Sequence, residues 1–92
     1  MWQAIRRLWQ PRDRTRIPVI VYTRSHCPLC DEAKHFVEQE QARLGFSLRF
    51  VDIDADANLK QRYDQCVPVI EIEGKERFRG KINPVLWARL WR

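Results

Sequence analysis

The feature that most restricts this chain is a change of hydrophobic period, made twice within 40 residues. RIPVIVYT (16–23) is a short β-branched apolar run. CPLCDEAKHFVEQEQARL (27–44) then places Leu29, Ala33, Phe36, Val37 and Leu44 at helical spacing, and FSLRFVDID (46–54) returns to alternation. The first run suits a strand buried on both faces. The second suits an amphipathic helix, with Gly45 just past its end as a left-handed stop. Strand, helix and strand in succession imply a parallel pair joined by a right-handed crossover. Such a unit works at the end where its strands stop and its loops begin.

The remaining elements follow by the same signals. ADANLKQRYDQ (55–65) reads as a helix capped by Asp54 or Asp56. VPVIEIEGKERFRG (67–80) reads as a hairpin turning at Glu73-Gly74-Lys75. INPVLWARLWR (82–92) reads as a closing helix with Asn83 as N-cap and Pro84 in the first helical position. On that last helix Trp87 and Trp91 lie four apart, which assigns them to packing or to the surface. The order β-α-β-α-β-β-α predicts an α/β domain over residues 17–92. Residues 1–16 form a separate basic amphipathic arm and linker: Trp2, Ile5, Leu8 and Trp9 recur at helical spacing until Pro11. About eight residues do not make a stable isolated helix, so the stripe is expected to dock on the domain; contact with a membrane surface is the alternative.

Charge follows the same division. The chain has 17 basic and 12 acidic side chains, but residues 1–16 alone carry five arginines against Asp13. The body is therefore close to neutral, which argues against a nucleic-acid partner. The longest apolar runs, PVIVY and VPVI, fall far short of the ~20 residues of a membrane-spanning helix, and no secretory signal is visible. Three cysteines, an odd number, do not fit a disulfide-stapled secreted scaffold. The expected location is cytoplasmic.

Chemistry concentrates in SHCPLCDEAKHF (25–36). A CxxC alone is compatible with a redox pair, with half of a metal site, or with two unrelated thiols. Its place at a strand-to-helix junction favours the first. There Cys27 sits at or beside the N-cap, where unsatisfied N–H groups and the helix dipole stabilise a thiolate. Cys30, one turn on, comes within disulfide reach. Cys27 is then the exposed nucleophile and Cys30 the more buried resolving thiol. Arg24 and His26 add positive charge nearby, and Asp31 and Glu32 oppose it. A zinc site would need four ligands, and there is no second CxxC, so no metal is expected. Cys66 adjoins Val67-Pro68, where a proline opens an apolar strand and leaves no ladder donor. It is read as a buried inert thiol or a modulator. Asp52, Asp54 and Asp56 alternate through a strand-to-loop passage and are read as caps rather than metal ligands.

The strand-CPLC-helix, the VDIDAD passage, the CVPVIEIEGKERFRG hairpin and the closing amphipathic helix together resemble the glutaredoxin branch of the thioredoxin-fold family, in particular short bacterial glutaredoxin-like proteins. The resemblance covers residues 17–92. It implies a four-stranded mixed sheet with helices on both faces, and a cis Val67-Pro68 bond whose backbone meets an extended substrate. It also implies that Arg24 binds a glutathione carboxylate, and that Gln61 and Arg62 supply a further contact. Where glutaredoxins carry Gly-Gly followed by aspartates, this chain has Gly80, Lys81 and Asn83, a departure at the end that holds the γ-glutamyl group. The implied activity is dithiol–disulfide oxidoreduction on protein or glutathione-mixed disulfides. No tightly bound cofactor is expected; glutathione is a co-substrate, and either glutathione or a thioredoxin-reductase-type system is the electron donor. Two other readings stay open: a non-catalytic binding module, and a metal or iron–sulfur carrier using Cys27, Cys30 and Cys66.

Overall fold

A computed structural model describes residues 14–91. The arm expected over residues 1–16 therefore lies, up to residue 13, outside the described residues; its last three, Arg14–Arg16, form a 3₁₀ turn. Four strands follow: β1 (Pro18–Thr23), β2 (Ser47–Asp52), β3 (Val69–Ile72) and β4 (Lys75–Arg79). Three helices separate or close them: α1 (Pro28–Leu44), α2 (Ala57–Tyr63) and α3 (Pro84–Leu90). The sheet order is β2-β1-β3-β4, with β1 and β2 parallel and the other pairs antiparallel. The α/β order is the one the periods predict, and the four-stranded mixed sheet is the one that the resemblance to the thioredoxin fold implies.

Local chemistry accounts for the boundaries. Asp56 accepts from the N–H groups of Asn58 and Leu59 at 2.8 and 3.2 Å, and Asn83 from those of Val85 and Leu86 at 2.9 and 3.2 Å. Both thereby satisfy donors that a helix start leaves open. At the hairpin, Glu73 and Gly74 both take positive φ, 52° and 80°, as a two-residue turn between twisted strands requires. The strand expected over 46–54 ends at Asp52, because its carboxylate accepts from the Asp54 N–H at 2.9 Å and turns Ile53–Ala55 into a 3₁₀ segment.

The expectation that β1 is buried on both faces is corrected. Val19 and Val21 are inaccessible, whereas Ile20 and Tyr22 are half-buried. The reason is unequal cover. The Val19–Val21 face lies in one cluster with Ala33 and Val37 of α1, Trp87 of α3 and Trp91 just beyond it. The opposite side has a smaller cluster of Ile53, Tyr63, Val67, Val69 and Cys30, joined by Tyr22 and Leu59, and is reached by the seven-residue α2 and the first turn of α1. No helix among the described residues is long and apolar enough to cross a membrane.

Candidate active site

Helix α1 begins where the spacing of CPLC requires. Cys27 is its N-cap, with extended backbone, and its Sγ accepts from the Cys30 N–H at 3.2 Å. A sulfur thus takes the place of the usual cap oxygen, at the helix end where negative charge is favoured. Pro28 occupies the first helical position, where its missing N–H leaves no gap. Cys27 and Cys30 are joined as a disulfide with Cα atoms 5.1 Å apart. Their environments differ: Cys27 is half-exposed and Cys30 is 2% exposed. His26, immediately before, is exposed and holds φ of 57°, a left-handed conformation that a non-glycine residue adopts at some cost.

Val67 and Pro68 are buried and joined by a cis peptide bond. Val67 packs in the same cluster as Cys30, against which Cys27 and Cys66 also lie. The fold thus brings residues 27, 30, 66 and 67 to one place. The Pro68 carbonyl accepts from the Gly80 N–H at 2.7 Å, so β4's end is tied to the same loop. Cys66 is the free cysteine, half-buried, with its sulfur 3.2 Å from Arg79 Nη1. Arg79 also makes a two-pronged pair with Glu76, at 2.9 and 2.7 Å, and lies over the Tyr63 ring. That pair holds the Glu76 carboxyl below its ordinary range. No three or more His, Cys, Asp or Glu side chains among the described residues are arranged to hold a metal ion.

Arg24, read from the resemblance as a carboxylate binder for substrate, already holds two carboxylates of its own chain. Its Nε and Nη2 donate to Asp54 at 3.2 and 2.7 Å, and its Nη1 donates to the Asp64 side chain at 3.1 Å and to the Asp64 carbonyl. The guanidinium lowers the Asp54 carboxyl below its ordinary range, and the two aspartates raise the arginine further. Arg24 thereby clamps the loop before Cys27 to the turns after β2 and after α2. No single-sequence signal singled out Asp64 for this.

The other expected contacts are spread around the thiols. Gln61 and Arg62 are exposed on α2, with the Arg62 guanidinium over the Tyr63 ring. Gly80 and Lys81 form one wall of an open groove of about 400 Å3 whose other wall is Leu29, Glu32 and Phe36 of α1. Asn83 lies beyond it, with its side-chain oxygen committed to the α3 cap. Leu29, which spacing placed on the apolar face of α1, is 39% exposed in this groove, a site that spacing did not single out.

Residues 18–86 match the family described as Glutaredoxin-like domain (DUF836). Among solved structures, a protein of Nitrosomonas europaea is similar at 26% identity and a TM-score of 0.71, over 83% of this chain and 92% of that one. A protein of X. campestris is 34% identical with a TM-score of 0.64, over 78% of this chain and 93% of that one. A thioredoxin variant from Halobacterium salinarum, 15% identical, shares the fold with a TM-score of 0.64 over 86% of this chain and 74% of that one.

Proposed function

The chain belongs to the glutaredoxin-like domain family, and on that premise we propose that it is a dithiol–disulfide oxidoreductase acting on protein or glutathione-mixed disulfides. One observation carries the reading: a half-exposed and a buried cysteine, joined as a disulfide, occupy the N-cap and first turn of a 17-residue helix. A thiolate at Cys27 is stabilised there by the helix start.

In the reduced protein, Cys27 Sγ attacks one sulfur of a substrate disulfide, and the other sulfur leaves as a thiolate that takes up a proton. The Cys30 thiol then loses its proton and attacks Cys27 Sγ in the resulting mixed disulfide. The second substrate sulfur leaves, and the Cys27–Cys30 disulfide closes. Two electrons pass from the dithiol to the substrate. Two molecules of glutathione, or one reductase dithiol, return them. The cytoplasm supplies such donors. Glutathione enters as co-substrate and not as a resident group.

Substrate approach is proposed along Val67, since the Pro68 carbonyl is occupied by Gly80. Lys81 and the groove beside Leu29 extend that surface, with Gln61 and Arg62 on its α2 side. Arg24 is not assigned to substrate, because four of its five N–H groups are bonded to Asp54 and Asp64.

The test is reduction of a protein disulfide and of a glutathione-mixed disulfide, each with glutathione and with a thioredoxin reductase as electron source. Cys27→Ser is expected to abolish turnover with every pairing. Cys30→Ser is expected to abolish turnover of the protein disulfide and to trap a mixed disulfide on Cys27 visible by mass. Full activity in Cys27→Ser, or inactivity of the wild type with both donors, rejects the reading.

A further inference from the structure

The two active sulfurs face different surroundings. Cys27 lies toward Cys66 and Val67, beside the groove proposed for substrate. Cys30 also lines a second, polar groove of about 210 Å3, on the β2 side of α1, which Cys27 does not line. Lys34, one turn after Cys30, stands on the same face of α1. Its ammonium lies 5.4 Å from the Phe50 ring centre, so this face of α1 looks onto β2. Asp52 follows two residues after Phe50 on the same face of β2, opposite Thr23 in register, and lines the groove with Cys30 and Lys34.

Resolution of a mixed disulfide needs the Cys30 thiol, 2% exposed, to lose a proton at the moment it attacks. The groove is the solvent path to it, and two carboxylates line that path, Asp31 and Asp52. Asp31 directly follows Cys30 in the first turn of α1, and residues one apart on a helix do not face each other. Asp52 lines the groove from the β2 side, held in place through one oxygen by the Asp54 N–H at 2.9 Å. The remaining charge on this path is Lys34, since Arg24 is bound to Asp54 and Asp64. On the other side of Cys30 stand Cys66, Tyr63 and Tyr22, which do not line the groove.

We propose that Asp52, acting through water in this groove beside Lys34, accepts the proton of Cys30 during resolution. This rests on the oxidoreductase reading. The proton passes from Cys30 to the groove water and on to the Asp52 carboxylate. Cys30 Sγ forms its bond to Cys27 Sγ as the Cys27–substrate sulfur bond breaks, and the departing thiolate is protonated by solvent. Asp52 then returns the proton to water.

The test uses the full chain carrying Cys66→Ser, so that two thiols react, and a chromogenic aromatic disulfide. The first burst reports attack by Cys27, and the second reports resolution by Cys30. Asp52→Asn keeps an oxygen to cap the Asp54 N–H and removes the base. It is expected to slow the second burst about 10–100-fold near neutral pH, at the modest end of general-base effects. The deficit should shrink as pH rises and hydroxide replaces the carboxylate. Asp52→Glu should recover most of the rate, and Asp31→Asn should leave the second burst within about twofold, well below a general-base effect. In a Cys30→Ser background, Asp52→Asn should leave the first burst unchanged. An unaltered second burst in Asp52→Asn overturns the proposal. So does an equal slowing of the first burst, which would mark a structural role. A wild type that releases no chromophore removes the oxidoreductase reading and this one with it.

Discussion

The two buried clusters of this domain are built from different materials. Under α1 and α3, Trp87 stands edge-on to Phe36 and Phe46 at 5.3 and 5.9 Å, and Trp91 stacks on Phe46 at 4.8 Å. Valines and isoleucines of β1 and β3 complete that cluster. Around the thiols, the partners are Tyr22, Tyr63, Ile53, Leu59, Val67, Val69 and the cysteines, with α2 only seven residues long. Large rings bring most of the apolar area per residue, so the aromatic cluster holds most of the stability. The thiol cluster is smaller, and its members are tied to loops at the ends of strands. Stability and chemistry are thus carried by separate groups of side chains, and sulfur can exchange partners without the main core being remade.

The hardest test of that separation is Trp87→Ala. The side chain is 1% exposed, and its loss is expected to cost about 3–5 kcal/mol. That is a large share of the ~5–15 kcal/mol a domain of this size commonly has. Ile53→Val, in the thiol cluster and equally buried, should cost only about 0.5–1.5 kcal/mol. Denaturant unfolding of the reduced proteins measures both. The comparison breaks if Trp87→Phe, which retains a ring, changes the alkylation rate of Cys27 in folded protein as much as Ile53→Val does.

A middle-sized effect sharpens how the aromatic cluster is oriented. Trp87 Nε1 donates to Glu40 Oε1 at 2.8 Å, and the same carboxylate pairs with Arg43 at 2.7 Å. Arg43 first, and then the indole, hold the Glu40 carboxyl below its ordinary range. Glu40→Ala leaves a largely buried indole N–H without an acceptor, which is expected to cost about 1–3 kcal/mol. Glu40→Gln keeps an oxygen for that N–H and should cost less than half as much. Equal losses in the two variants would mean that the Arg43 pair, and not the indole bond, is what Glu40 contributes.

What the sequence made legible follows the same line between local and long-range causes. Period changes located all seven main elements, and caps such as Asp56 and Asn83 act within three residues of themselves. The Cys27–Cys30 pairing is likewise local, at a separation of three. What escaped depends on contacts between distant segments. Arg24 meets Asp54 and Asp64 across 30 and 40 residues. The resemblance implied a substrate carboxylate for it; the fold adds two carboxylates of its own chain. Lys34 and Asp52 come to line one groove only once β2 is laid beside β1. The half-exposed face of β1 depended on how much sheet the short α2 covers, which an apolar run does not encode.

The Arg24 clamp yields the smallest effect and the one that bears most directly on the thiol side. Asp54 has its carboxyl lowered below the ordinary value of 3.8 by its bonds to Arg24. A carboxyl that is more acidic in the folded chain than in the unfolded one contributes stability above its unfolded pKa, and loses it as pH falls through the folded one. Wild type should therefore exceed Asp54→Asn by a small margin at neutral pH. The two stability curves should converge as pH drops below about 3.8. Because the pair is exposed, the margin should also shrink in 1 M salt, where charges are screened within ~3 Å. Urea unfolding at pH 7 and pH 3, at low and high salt, measures this. Arg24→Gln releases the loop before Cys27 from both aspartates at once. It should alter the rate of Cys27 alkylation while barely moving the unfolding midpoint, the reverse of Glu40→Ala. If Arg24→Gln instead lowers stability as much as Glu40→Ala and leaves the thiol's rate untouched, the clamp belongs with the core and the division between the two regions is drawn in the wrong place.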